Sequence, residues 1–145
     1  MIKINNYISD IQKIITNSFL EFKSPIKFAI TNQFYPSTAT ITEPIVTICF
    51  DKISITPTAL NNHLLNTTCE KPLFNTNINL NFVINVPHKL GANTCYDIFF
   101  IISEILIKNS TTLPFTSIFC NNLEFKKSTN CFLLTCSTCF AVTPI

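Results

Sequence analysis

Every second position from Ile78 to Val86 is hydrophobic, and all but one of the positions between are asparagine. Ile78, Leu80, Phe82, Ile84 and Val86 point one way, while Asn77, Asn79, Asn81, Val83 and Asn85 point the other. A period of two over this length predicts a strand with one buried face. Pro87 and Gly91 (the only glycine in the chain) mark a turn after it. A helical run then covers about residues 94–108, with Ile98, Phe99, Ile101, Ile102, Ile105 and Leu106 forming a broad apolar band. Thr94 is its expected N-cap and Asp97 a weak capping-box partner.

The same reading extends along the rest of the chain. Ile4, Ile8, Ile11, Ile15, Phe19 and Phe22 recur at steps of three and four, which predicts an amphipathic helix over 5–22. Its polar side is not rich in Lys or Arg, so the stripe is expected to pack on the protein's own sheet rather than on a membrane. Ile26–Phe28–Ile30 predicts a first strand. Ile45–Ile55 predicts a second, or two short ones, with Asp51–Lys52 at a bend or edge. Residues 56–75 are irregular, with a short helical turn conceivable at 60–65. Phe115–Phe125, a turn at 126–130 and Cys131–Val142 complete the pattern as a hairpin. In its second strand Phe132, Leu134, Cys136, Thr138, Phe140 and Val142 share one face. The order α-β-β-β-α-β-β predicts a single α+β domain over 1–145, with two helices on a mostly antiparallel mixed sheet.

Composition narrows the functions. Of 145 residues, 12% are charged, against about 25% in an average protein, and Asn and Thr take the polar positions instead. Such a surface suits a subunit covered by neighbours; AT-rich codon usage accounts for the same bias. The ten basic residues are scattered, and no basic stripe for nucleic acid is present. No apolar run reaches the length of a membrane span. A single glycine excludes a Gly-rich phosphate cradle, a Rossmann fingerprint and a P-loop.

Seven cysteines, an odd number, fall mostly in apolar segments. The first residues lack the apolar core of a signal peptide. The thiols are therefore expected to be reduced, in a cytosolic protein. Cys136-Ser137-Thr138-Cys139 is a CxxC, but within an alternating strand its two thiols face opposite sides, against a shared metal or redox role. Cys95, at a helix start where N–H groups lower a thiol pKa, and His88 across the turn form a candidate nucleophile–base pair. No third orienting group accompanies them, and an incidental thiol is the simpler reading. The eight carboxylates are dispersed. Catalytic residues, cofactors and metals are thus not expected. The amide face Asn77, Asn79, Asn81 and Asn85, with His63 in the irregular stretch, reads either as a solvated sheet face or as a subunit interface.

The layout as a whole resembles a known family. An N-terminal amphipathic helix, strands, a long irregular connection, the segment VPHKLGANTCYDIFFIISEIL and the closing hairpin LEFKKSTNCFLLTCSTCF are together similar to the small tail-terminator (tail-completion) proteins of bacteriophages and phage-derived contractile bacteriocins. The likeness is one of layout and size, with no diagnostic motif. It implies a homo-oligomeric ring, usually a hexamer, that caps the tail tube, engages the sheath in contractile systems and meets neck proteins in a complete phage. It implies assembly in the bacterial cytoplasm and no catalytic residues. Other expectations are another small neck or baseplate subunit, or a small cytosolic enzyme using Cys95 and His88.

Overall fold

The computed structural model describes residues 4–22, 26–31, 41–57, 74–111 and 115–142. Among these residues two helices pack on one face of a six-stranded mixed sheet. The helices are α1 (Ile4–Phe22) and α2 (Asn93–Lys108). The strands are β1 (Ala29–Thr31), β2 (Ile45–Pro57), β3 (Phe74–Pro87), β4 (Phe115–Cys120), β5 (Glu124–Lys126) and β6 (Cys131–Val142). The sheet order is β1-β2-β3-β6-β4, with β5 also paired to β6. The class is α+β, as expected.

The alternating stretch forms the centre of the sheet. β3 lies between β2 and β6 and is antiparallel to both. Its apolar positions Ile78, Leu80, Phe82, Ile84 and Val86 are all buried against the helices. From α1, Ile11 and Ile15 enter the same core; from α2, Cys95, Ile98, Ile102, Ile105 and Leu106 do. Each large aliphatic or aromatic side chain so buried contributes roughly 1.5–3 kcal/mol. β6 is antiparallel to both β3 and β4. β3 and β4 therefore run parallel with β6 between them, and α2 is the crossover that joins them. At the far ends of the helices Asn109 Nδ2 donates to Ile105 O (2.8 Å) and to Ser18 Oγ (3.4 Å), tying α2 to α1.

Several boundaries differ from the sequence expectation. The first strand shrinks to Ala29–Thr31 and pairs with β2 in parallel. It is an edge, and Gln12 Nε2 on α1 donates to Ile30 O at 3.0 Å, occupying a carbonyl that would otherwise face outward. Ile45–Ile55 is the single strand of the two readings, and its irregularity falls at Asp51, where the bend was expected. It belongs to one thirteen-residue strand with a bulge between Phe50 and Lys52. The extra residue, Asp51, shifts the alternation by one. Val46, Ile48 and Phe50 lie on the helix side before it, and Ile53 and Ile55 lie on that side after it. The segment expected as a single strand, Phe115–Phe125, divides into β4 and β5 around residues 121–123. The irregular stretch at 56–75 overlaps strands at both ends; the turn expected at 60–65 lies outside the described residues.

The expected N-cap is corrected. Ala92, not Thr94, holds the N-cap position of α2, and no side chain caps it. A 3-10 turn at His88–Leu90 and Gly91, at φ 86°, bring the chain into the helix early. Thr94 N donates to Gly91 O (3.3 Å) and Cys95 N to Ala92 O (3.1 Å). Backbone bonds thus supply what the hydroxyl was expected to supply. Thr94 Oγ1 instead donates back to Leu90 O at 2.8 Å, and Asp97 is exposed and beyond the first turn.

Candidate interaction surface

Among the described elements both helices cover the same side of the sheet. The opposite side carries the asparagines. Its cross-strand rows follow from register. Ile45, Asn85, Leu133 and Glu124 form one row, and Thr47, Val83 and Thr135 the next. Cys49, Asn81, Ser137 and Phe119 follow, then Lys52, Asn79, Cys139 and Ser117, then Ser54, Asn77 and Ala141. Lys52 and Glu124, in different rows, are the only charged side chains among these register partners.

The four asparagines are brought together on this face, each half-buried rather than fully solvated. Asn81 is the most constrained. Ser137 Oγ donates to Asn81 Oδ1 at 2.8 Å, and Cys49 Sγ–H donates to Asn81 O at 3.7 Å. One end of the face is closed: Ile45 is buried and Thr47 is only 1% exposed. The other end and the β4 rim are more open, with Ser117 exposed and Phe119 54% exposed. His63 lies outside the described residues.

Sequence reasoning missed the register partners of the asparagines: Cys49 and Ser137 beside Asn81, Lys52 and Cys139 beside Asn79, and Ser54 beside Asn77. Their alternation was legible within each strand. Their adjacency to β3 was not, because register is set by contacts between segments distant in sequence.

The sites that suggested chemistry are placed differently. Cys95 is fully buried in the core. Its thiol is pushed up to about 11, first by burial and then by nearby Cys131. Desolvation therefore outweighs the helix N-terminus, opposite to the direction a nucleophile needs. His88 is exposed at the sheet's end, where it stacks on Phe132 (5.5 Å) and meets Phe125 edge-on (5.4 Å). No hydrogen bond joins it to Cys95 among the described residues. His88 N also donates to Asn130 O at 3.0 Å, closing the strand ends. In the CxxC, Cys136 is buried on the helix side beside Cys120, while Cys139 sits on the asparagine face beside Asn79. The two thiols face opposite sides of the sheet, as the alternation predicts. Burial, then Cys120 and Cys95, push the Cys136 thiol up to about 12. Burial and then Asp51 raise that of Cys49.

Other exposed apolar groups lie away from this face. Phe100 and Ile107, seven residues apart on the outer side of α2, are 65% and 60% exposed. An open groove of about 430 Å³ runs between the C-terminal half of α1 and β1, lined by Phe19, Leu20, Phe28 and Ile30 with Lys27 and Glu43. No helix among the described residues is long and apolar enough to cross a membrane. Neither protein-family models nor curated proteins give any match to this chain.

Proposed function

We propose that this chain is a non-enzymatic assembly subunit, a ring-forming terminator of a phage tail or phage-tail-like particle. The observation that carries the reading is the asparagine side of the sheet. Asn77, Asn79, Asn81 and Asn85 share this side with Ser54, Thr135 and Ser137, and the rows carry only two charged side chains, Lys52 and Glu124. Amides and hydroxyls exchange water for a partner's hydrogen bonds at a much lower cost than ions. The layout resemblance supplies the particular assembly. A closed ring uses two different patches per subunit, related by a fixed rotation. In this reading the amide face is one of them, and its partners are further copies, usually in a hexamer, together with tube and sheath proteins. The burial and raised pKa of Cys95 weigh against the enzyme alternative.

Light scattering after size exclusion, with negative-stain imaging, tests the proposal. Rings, or caps at one end of co-expressed tubes, are expected. Asn77→Lys with Asn79→Lys is expected to give a folded monomer. A wild-type chain that stays monomeric with and without tube protein would sink the reading. So would a double variant that assembles like wild type.

A further inference from the structure

The assembly reading leaves one feature of the core unused: a pair of cysteines placed side by side on neighbouring strands. Cys120, the last residue of β4, is the register partner of Cys136 in β6. One step beyond the pair, Asn121 N donates to Thr135 O at 2.9 Å. In an antiparallel ladder this bond makes Cys120 and Cys136 a non-hydrogen-bonded pair. Such pairs hold opposed Cα atoms about 4.5 Å apart with their side chains close. That spacing lies inside the window of roughly 4.4–6.8 Å that a disulfide spans. Both side chains are on the helix side of the sheet, packed against one apolar cluster, and both carry free thiols. The other described thiols lack this relationship. Cys49 and Cys139 are on the opposite face, Cys95 is on α2, and Cys131 is opposed by Lys126 and Pro87.

We propose that Cys120 and Cys136 are an oxidation site, a cross-strand thiol pair that a low-molecular-weight disulfide converts to an intramolecular disulfide, clamping the edge strand β4 onto β6. The inference does not depend on the assembly reading. Cys120 is half-buried on an edge strand and is the point of entry. Its thiolate attacks one sulfur of the small disulfide, forming a mixed disulfide and releasing one small thiol, which takes up a proton. The Cys136 thiolate then attacks the Cys120 sulfur, forming the protein disulfide and releasing the second small thiol. Two protein thiols lose two electrons and two protons, and one small disulfide gains them. The second step is the slow one, since Cys136 is buried and reluctant to ionise. Oxidation accordingly speeds up as pH rises.

The test uses the full chain and glutathione disulfide. After incubation, thiols are blocked under denaturing conditions, counted by intact mass, and mapped by peptide digestion. The expected result is the loss of two thiols, a Cys120–Cys136 linked peptide, and a rise in Tm on the order of 5–10 °C that a reductant reverses. Cys139→Ser is expected to behave like wild type, whereas Cys120→Ser, which alters the more exposed partner, is expected to lose no thiol pair. Retention of all thiols, a stable mixed disulfide that never resolves, or a linkage through any other cysteine would overturn the assignment.

Discussion

Ser137 Oγ donates a 2.8 Å hydrogen bond to Asn81 Oδ1, joining β6 to β3 on the side of the sheet away from the helices. The bond uses one acceptor of an amide that otherwise faces outward, and it fixes where the remaining donors of Asn81 point. Removing the hydroxyl with Ser137→Ala is expected to lower stability by about 0.5–1.5 kcal/mol. In a double-mutant cycle with Asn81→Ala the two changes should cost less together than the sum of each alone. Urea denaturation of the four proteins measures this; strict additivity would mean that the bond contributes nothing in solution.

The backbone at Gly91 leads to a different expectation. Its φ of 86° and ψ of 154° lie in a region that only glycine occupies without strain, while a Cβ built there meets nothing within 4 Å. Gly91→Ala is therefore expected to destabilise by about 1–3 kcal/mol through backbone strain alone. Gly91→Asn should be no better, because this is not the left-handed helical region that asparagine tolerates. At Asn130, where φ is 52°, Asn130→Gly should be close to neutral. Thermal melts of the three variants check the contrast.

Asp51 is the additional residue of the bulge in β2, between Phe50 opposite Leu80 and Lys52 opposite Asn79. Deleting it leaves Ile53 opposite Ile78 and keeps every apolar position on its side. Deleting Thr47 instead moves Ile45 and Val46 to the wrong faces. The Asp51 deletion is expected to unfold cooperatively at a denaturant midpoint near that of wild type. The Thr47 deletion is expected to lose its cooperative transition. If both deletions behaved alike, the register at the bulge would be wrong.

Alkaline pH probes the buried thiols. In the folded chain Cys95 and Cys136 hold their protons up to about 11 and about 12, against an ordinary value of 9.0. Above pH 9 the unfolded chain gives up these protons while the folded chain keeps them, so unfolding is favoured. The stabilisation is fully present below pH 9 and is lost as pH rises toward 11–12. Tm measured in reductant should hold between pH 7 and 8.5 as far as these groups determine it, and decline above 9. Cys95→Ala should flatten the decline, and an unchanged slope in that variant would remove the thiol from the explanation.

Most elements and their faces follow from local patterning, although the first strand is shorter than its alternation and Phe115–Phe125 divides in two. In β3 every second side chain from Ile78 to Val86 is buried, and in α2 Ile98, Ile102, Ile105 and Leu106 are buried. These are local periodicities, and burial acts on each segment through its own repeat. Even the bulge is written in β2, where the apolar positions skip one step between Phe50 and Ile53. Tertiary structure decided what lies beside what. Strand order and register put Ser137 next to Asn81 and Cys120 next to Cys136. Such neighbours are many residues apart and interact only after the sheet has assembled. It also decided the balance of opposing effects: Cys95 sits at a helix start that favours a thiolate, yet burial wins and raises its pKa. The expected cap at Thr94 failed for a related reason. A 3-10 turn and a glycine in a conformation reserved for glycine let backbone groups begin the helix before the hydroxyl was needed.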